Sequence, residues 1–310
     1  MSSLVQTSQP FAPTPSQLAV AYSVCRGITR SRAKNFYYGF LVLPKRKRRA
    51  LCAVYAFMRR CDDIADDPSL SVRDRRQRLD TWLNAFHAAQ AGHPTDDPIF
   101  LALTDAQRRY AIPAGLLDAL AFGTAMDVDE NIEQPEASGL QVQYRSFEDL
   151  ERYCYNVASV VGLVCIRIFG YNKPDAEPLA ERCGLAFQLT NIIRDVKEDA
   201  VLGRIYLPGR DLAEFGISAS DIATTIDPAR IRPLLQLEAQ RAFENYKAAE
   251  ELIPLVYEDS RPALWVLVTI YRSLLEKIVR LNYDVFTRKV SLSVWDKLRI
   301  LSQGFLQRIL

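Results

Sequence analysis

The sequence predicts an all-α protein organised as one domain, and three observations carry that prediction. Beyond the first sixteen residues, apolar side chains recur at three- and four-residue spacings, the mark of helices that turn one face to a core. No stretch shows the strict alternation of a half-buried strand. Breakers such as Pro44, Pro68, Gly92-His93-Pro94, Pro113, Pro135, Pro174, Pro208-Gly209 and Pro254 interrupt the pattern, yet none sits in a linker long enough to divide the chain.

In chain order, residues 1–16 are rich in Ser, Thr, Gln and Pro and are expected to form a flexible arm. They lack the basic start and apolar centre of a signal peptide. The domain, residues 17–310, begins with a helix over Gln17–Thr29, followed by Arg46–Ala65, whose Leu51, Tyr55 and Met58 form an inward stripe. Helices over Val72–Gln90, Asp97–Tyr110 and Pro113–Asn131 come next, then Phe147–Phe169 and Asp175–Ala200. Three more complete the series: Pro228–Leu252, Arg261–Tyr283 and Leu292–Leu310. The last is amphipathic, with Trp295, Leu298, Leu301, Phe305 and Ile309 set against Lys297, Arg299 and Arg308, and is expected to pack onto the core. Helices of this length in one domain pack around something, and bundles build sites from side chains that project inward from facing helices.

Composition narrows the chemistry. The 310 residues carry 39 Lys and Arg against 37 Asp and Glu, a net charge of +2, which excludes a protein that coats nucleic acid. Lys45-Arg-Lys-Arg-Arg49 reads as a solvated helix start rather than a nucleic-acid or anionic-lipid patch. Two histidines and six cysteines with no C-x-x-C spacing leave little for a zinc site or thiol redox chemistry, and the cysteines read as small buried hydrophobes in a reducing compartment. No apolar run reaches the roughly 20 residues of a membrane span. The expected location is therefore cytoplasmic.

Two segments place carboxylates where a plain core would not want them. In the first, Asp62 and Asp66 lie on one helical face and Asp63 and Asp67 beside them, and the stripe of Leu51, Tyr55 and Met58 runs directly into these acids. In the second, Gln188, Asn191, Asp195 and Asp199 repeat at spacings of three and four beside an apolar stripe of Leu185, Leu189, Ile192 and Val196. One such cluster alone is usually a solvated face tied to nearby arginines, here Arg59, Arg60, Arg194 and Lys197. Two of matching geometry, both bordering apolar stripes, point elsewhere. Carboxylates aimed inward need counter-charge. Mg²⁺ suits them, since it takes oxygen ligands and commonly joins one or two carboxylates to substrate phosphates.

At these residues the chain resembles the squalene and phytoene synthase family of head-to-head isoprenoid synthases, from about Tyr22 to Leu310. Asp62-Asp63-Ile-Ala-Asp66, led by Tyr55-Ala-Phe-Met-Arg59, is similar to the family's first acidic motif. Gln188 to Asp199, followed by Gly203-Arg204-Ile-Tyr206-Leu-Pro208, is similar to its second, and Tyr153 to Gly162 to its central helix. Tyr271 and Arg288 occupy positions where such enzymes contact diphosphate. One segment departs: where many relatives carry Ser-x-Ser-Phe, this chain reads Ala33-Lys34-Asn35-Phe36, which leaves Lys34 and Asn35 as altered diphosphate contacts.

The resemblance implies an isoprenoid synthase fold, helices around a central cavity that accepts two allylic diphosphates. It implies several Mg²⁺ ions bridging diphosphate, held by Asp62, Asp63, Asp66, Asn191, Asp195 and Asp199, with Tyr55 and Arg59 beside them. Substrate contacts would come from Lys34, Asn35, Phe36, Tyr153, Gly162, Gln188, Arg194, Arg204, Tyr271 and Arg288. Ionisation of one substrate, attack by the second substrate's double bond and proton loss would close a cyclopropylcarbinyl diphosphate. Aromatic faces such as Phe36, Tyr55 and Tyr153 would stabilise the cation, and released diphosphate would take the proton, since His87 and His93 read as surface residues.

Residues 35–44 and 186–195 resemble the bacterial branch that makes presqualene diphosphate from farnesyl diphosphate, with a phytoene synthase acting on geranylgeranyl diphosphate as the alternative. No NADPH requirement is expected for the first half-reaction. The expected partners are the two prenyl diphosphates, with no nucleic acid, a monomer or weak homodimer, and peripheral membrane contact through the last helix. A non-catalytic scaffold of the same fold is the competing class; it would be free to lose carboxylates that this chain keeps. A terpene cyclase or chain-elongating synthase shares the Mg²⁺ chemistry but fits the residues around Tyr153 and Gly203 less well.

Overall fold

The computed structural model describes residues 11–33, 36–133, 140–224 and 227–309. Its first helix, α1 (Pro15–Arg32), starts inside the expected arm because Thr14 and Gln17 form a capping box that meets the free N–H groups of the first turn. Phe11 donates its backbone N–H to the Gly92 carbonyl at 2.9 Å and packs against the core. A short helix that the periodicity does not reveal, α2 (Phe36–Val42), precedes α3 (Lys45–Ala65), α4 (Val72–Gln90), α5 (Pro98–Tyr110) and α6 (Ala114–Glu133). Ser71 and Asp97 cap α4 and α5 through side-chain oxygens.

The predicted helix over 147–169 is three pieces: α7 (Phe147–Cys154), a π-helical turn over Tyr155–Ser159, and α8 (Val160–Phe169). By length and composition this stretch of 23 residues, unlike the sequence expectation, is apolar enough to cross a membrane, but half of its apolar window is buried within the protein, as in a core helix. α9 (Ala176–Val201) follows, then two short helices also missed from sequence, α10 (Gly209–Glu214) and α11 (Ala219–Ala223). The chain closes with α12 (Pro228–Leu252), α13 (Arg261–Arg280) and α14 (Val294–Ile309). α13 stops three residues earlier than expected because Asn282 and Tyr283 take positive φ, 57° and 61°. Among the described residues the strands are two-residue pieces, β1 (Gln141–Val142) and β2 (Arg204–Ile205), paired in parallel with Gln141 opposite Arg204. They are too short to alternate visibly.

α9 is the central helix, packed against α8, α12, α13 and the π turn. Its approach to the π turn is at backbone contact: a Cβ at Gly184 would lie 2.6 Å from the Ala158 carbonyl oxygen. Gly162 does the same toward Ala180, and Gly123 of α6 toward Asn156. One buried apolar cluster runs through all of these elements. All six cysteines are free, five of them buried, as expected of small hydrophobes. The departure is α14: of the five residues expected to face inward, Leu301 is buried, whereas Trp295, Leu298 and Phe305 are exposed and the side chain of Ile309 lies outside the described ones.

Candidate active site

α2, α3, the π turn, α8, α9, α12 and α13 line an apolar cavity of about 170 Å³. Its orientation follows from the helices. α3 contributes Leu51, Val54, Tyr55 and Met58 in order, and α9 contributes Ala180, Cys183, Gly184, Phe187, Gln188 and Asn191. α8 runs antiparallel to α9, since Ala158 meets Gly184 and Gly162 meets Ala180. Phe169 and Ile166 therefore lie at the deep end with Leu51 and Ala180, and Tyr55, Met58, Gln188 and Asn191 at the other. One helical turn past that second end come Asp62 on α3 and Asp195 on α9. The two acidic segments thus stand at the mouth of a greasy channel.

Phe36 and Phe187 line the cavity, and Tyr271 packs against both, 5.5 Å from Phe36 and stacked on Phe187 at 4.4 Å with the planes 8° apart. Gly162 lines the cavity, where the missing side chain allows α8 and α9 to touch. Burial pushes the Tyr55 hydroxyl up from its ordinary value.

On α9, Arg194 holds its neighbour Asp195 with both guanidinium edges, Nε donating to Oδ1 at 2.7 Å. Asp199, mostly buried, is pushed up to about 7 by burial and then by the charge of Asp195, although Arg204 from β2 and Arg194 pull it back. Lys289 reaches Glu198 at 3.2 Å and Asp195 at 4.0 Å, while Glu198 leaves its Oε2 buried with no partner. Neither Lys289 nor Glu198 was singled out from sequence. Arg288, its neighbour, is exposed beside this cluster, and nothing in the local pattern distinguishes the two. Lys197, one turn along, donates to the Phe286 carbonyl at 2.6 Å and pins the segment that carries Lys289 to α9.

The four acids at the end of α3 and just past it divide. Asp62 is half-buried, and Asp66 is the exposed C-cap residue, its N–H donating to the Asp62 carbonyl at 2.8 Å. Asp63 accepts from Arg59 and, with Asp67, lines a separate groove against α4. Arg59 keeps its Nε buried without a partner. Tyr153 is buried in a stack with Tyr144 and Tyr206, at 5.1 and 5.3 Å, and so stands apart from the residues lining the cavity. Lys34 and Asn35 lie outside the described residues.

The donor set fits a hard divalent cation: oxygen ligands from two helices, with an excess of partly buried carboxylate on α9. Among the described residues no three His, Cys, Asp or Glu side chains converge as a ready-made metal cluster.

A squalene/phytoene synthase family model matches residues 29–296. A phytoene synthase from Arthrospira platensis is 35% identical over 95% of this chain and 96% of its own length. A 15-cis-phytoene synthase from Synechococcus elongatus is 36% identical over 91% of each. Among solved structures, a dehydrosqualene synthase in complex with ligand superposes with a TM-score of 0.79 at 30% identity, covering 93% of this chain and 96% of that one. Squalene synthase HpnC from Alicyclobacillus acidocaldarius gives 0.75 at 28% identity, covering 87% and 97%.

Proposed function

The chain belongs to the squalene/phytoene synthase family of prenyltransferases, and we propose that it joins two geranylgeranyl diphosphates head to head, as a phytoene synthase. Head-to-head prenyl condensation is the reaction of the family. Chain length is the step beyond, and it reverses the order expected from residues 35–44 and 186–195. Its support is that the relatives at 35 and 36% identity over more than nine-tenths of both chains are named phytoene synthases. The farnesyl reading stays as the second, favoured by the names of the two structural neighbours.

The single observation that carries the chemistry is the apolar channel ending beneath two carboxylate-bearing helices. Mg²⁺ held by Asp62, Asp66, Asn191, Asp195 and Asp199 would neutralise a bound diphosphate and make it a leaving group. The chain's own groups do the rest. Arg194, Arg204 and Lys289 supply cations at the α9 carboxylates for phosphate oxygens. The faces of Phe36 and Tyr55 offer negative quadrupoles to an allylic cation in the cavity. Aliphatic walls keep water from that cation while the second double bond attacks. Among the described residues no histidine lines the cavity, so the proton lost on ring closure passes to released diphosphate. No nicotinamide takes part in this first condensation.

Comparison of kcat/KM for the two diphosphates tests the substrate. Geranylgeranyl diphosphate should be preferred; a preference for farnesyl diphosphate would assign the site to the second reading.

A further inference from the structure

The segment that follows α9 is held in a narrow clamp. Backbone hydrogen bonds tie residues 141–145 to residues 203–210: Gln141 donates to the Gly203 carbonyl and Gln143 to that of Ile205, both at 2.9 Å. Further along, Gly209 donates to Tyr144 at 2.9 Å and Arg210 to Arg145 at 3.0 Å. Ile205 and Leu207 turn inward and are buried, so the alternation of an extended chain puts Arg204 and Tyr206 on the other face. There Arg204 stands close enough to Asp199 for its charge to act on that carboxylate, and Tyr206 stacks on Tyr153 at 5.3 Å. Strands of two residues, β1 and β2, are marginal by themselves. What holds the clamp therefore lies at its ends.

Both sides of the clamp end on one cation. Downstream of β2, Asp211 of α10 accepts from Arg241 of α12, whose guanidinium reaches both carboxylate oxygens. Downstream of β1, the ring of Phe147, the first residue of α7, has the same guanidinium over it at 4.1 Å. Arg241 also donates to Glu238 at 2.8 Å. Glu238 and Asp211 are buried, and none of the three is among the residues that line the cavity. Taking one member out of a buried ionic group leaves the others unpaired, so such a group holds its elements in one arrangement.

We infer that Arg241 is a positioning residue for the reaction: through Asp211 and Phe147 it fixes the clamp, and with it Arg204, over the α9 carboxylates where diphosphate is received. Glu238 keeps the guanidinium paired and turned toward α10. The inference rests on the reading of Arg204 as a phosphate contact and does not depend on the chain length of the substrate. Its physical basis is that a displacement of about 1 Å in a group that meets the substrate is enough to cost binding or rate.

Calorimetric titration of the full-length protein with inorganic diphosphate in the presence of Mg²⁺ tests it without turnover. Arg204→Gln should weaken binding about tenfold. Asp211→Ala, which frees α10 while Glu238 keeps Arg241 paired, should weaken it by about fivefold in the wild-type background and by less than about twofold in the Arg204→Gln background. Asp211→Asn, which keeps an acceptor for Arg241, should recover most of the loss. Arg241→Lys, a point charge without the fork, should lose about threefold or more, again only while Arg204 is present. Circular dichroism should match wild type throughout. The inference is overturned if Asp211→Ala and Arg241→Lys bind diphosphate as wild type does, or if their losses are equal in both backgrounds, as a general loosening of the fold would give. It is also overturned if Asp211→Ala fails to fold, which would make the ionic group a support of the core alone. Wild-type affinity in Arg204→Gln, or no binding by the wild type itself, would instead remove the reading of Arg204 and the inference with it, a result distinct from loss of the coupling.

Discussion

Lys47 donates a 2.6 Å hydrogen bond to the carbonyl of Phe169, the residue that lines the deep end of the cavity. The same ammonium donates to Ser260 Oγ at 2.9 Å and to Asp259 at 2.5 Å, and only 12% of the side chain is exposed. One cation thus ties the start of α3 to the end of α8 and the start of α13, and the carbonyl at the C-terminal end of α8, which also accepts from Ser260 Oγ at 3.0 Å, favours positive charge. Lys47, like Arg48 and Arg49 beside it, is half-buried in a basic run that sequence alone reads as solvated. Lys47→Met should cost about 1–3 kcal/mol by denaturant titration, because it removes the charge-assisted bonds to the Phe169 carbonyl and Ser260 Oγ, which then keep only their own 3.0 Å bond to each other and the contact with Asp259. Arg46→Ala, at an exposed neighbour, should stay within about 0.5 kcal/mol.

Gly184 permits the contact of α9 with the π turn, and a methyl group there would meet the Ala158 carbonyl at 2.6 Å and the Ser159 Cα at 2.7 Å. Both neighbours are backbone and cannot swing away. Gly184→Ala should destabilise by about 1–3 kcal/mol, and it should also lower turnover, since Val157 and Ala158 line the cavity. A variant as stable as wild type would mean that the π turn can shift to accommodate the methyl group.

Glu238 is 1% exposed and accepts from Arg241 at 2.8 Å, while its other oxygen has no partner. Burial pushes its carboxyl from an ordinary 4.5 up to about 7, against the pull of Arg241. A group that binds its proton more tightly when folded adds stability that is full below the unfolded value and fades as pH rises through the folded one. Relative to Glu238→Gln, the wild type should lose up to about 3 kcal/mol between pH 4.5 and 8. Parallel stability curves for the two proteins would contradict this.

The acidic helices were legible because carboxylates interrupt an apolar stripe at a spacing that only a helix makes meaningful, as Met58 before Asp62 shows. The rest depended on what meets what. Which of Arg288 and Lys289 reaches the α9 carboxylates is set by how the segment after α13 folds back onto Lys197. α2, α10 and α11 are too short to display a period. The π turn over Tyr155–Ser159 lies in a stretch so rich in apolar residues that no break in the pattern marks it. In α14 the stripe was visible, but periodicity cannot say whether a protein core or something else covers it; here Ile300, Leu301 and Gly304 took the core side.

The carboxylates at the end of α3 and in the turn after it should separate in activity. Asp62→Asn, and Asp195→Asn on α9, should each lower kcat by about 10²–10³-fold or more at saturating Mg²⁺ with the fold intact. Asp67→Asn should stay near wild type, since that side chain bonds to Ser69 and lines the outer groove. Near-wild-type turnover in either inner variant would remove that residue from the site.

The most direct test is to incubate the purified protein with geranylgeranyl diphosphate and Mg²⁺, with and without a chelator and NADPH, and to identify products by mass spectrometry. The expected result is a C40 head-to-head product that forms without NADPH and disappears with the chelator. No C40 product under any condition, with farnesyl diphosphate alone giving a C30 product, would contradict the geranylgeranyl assignment. No condensation product from either substrate would contradict the enzyme itself.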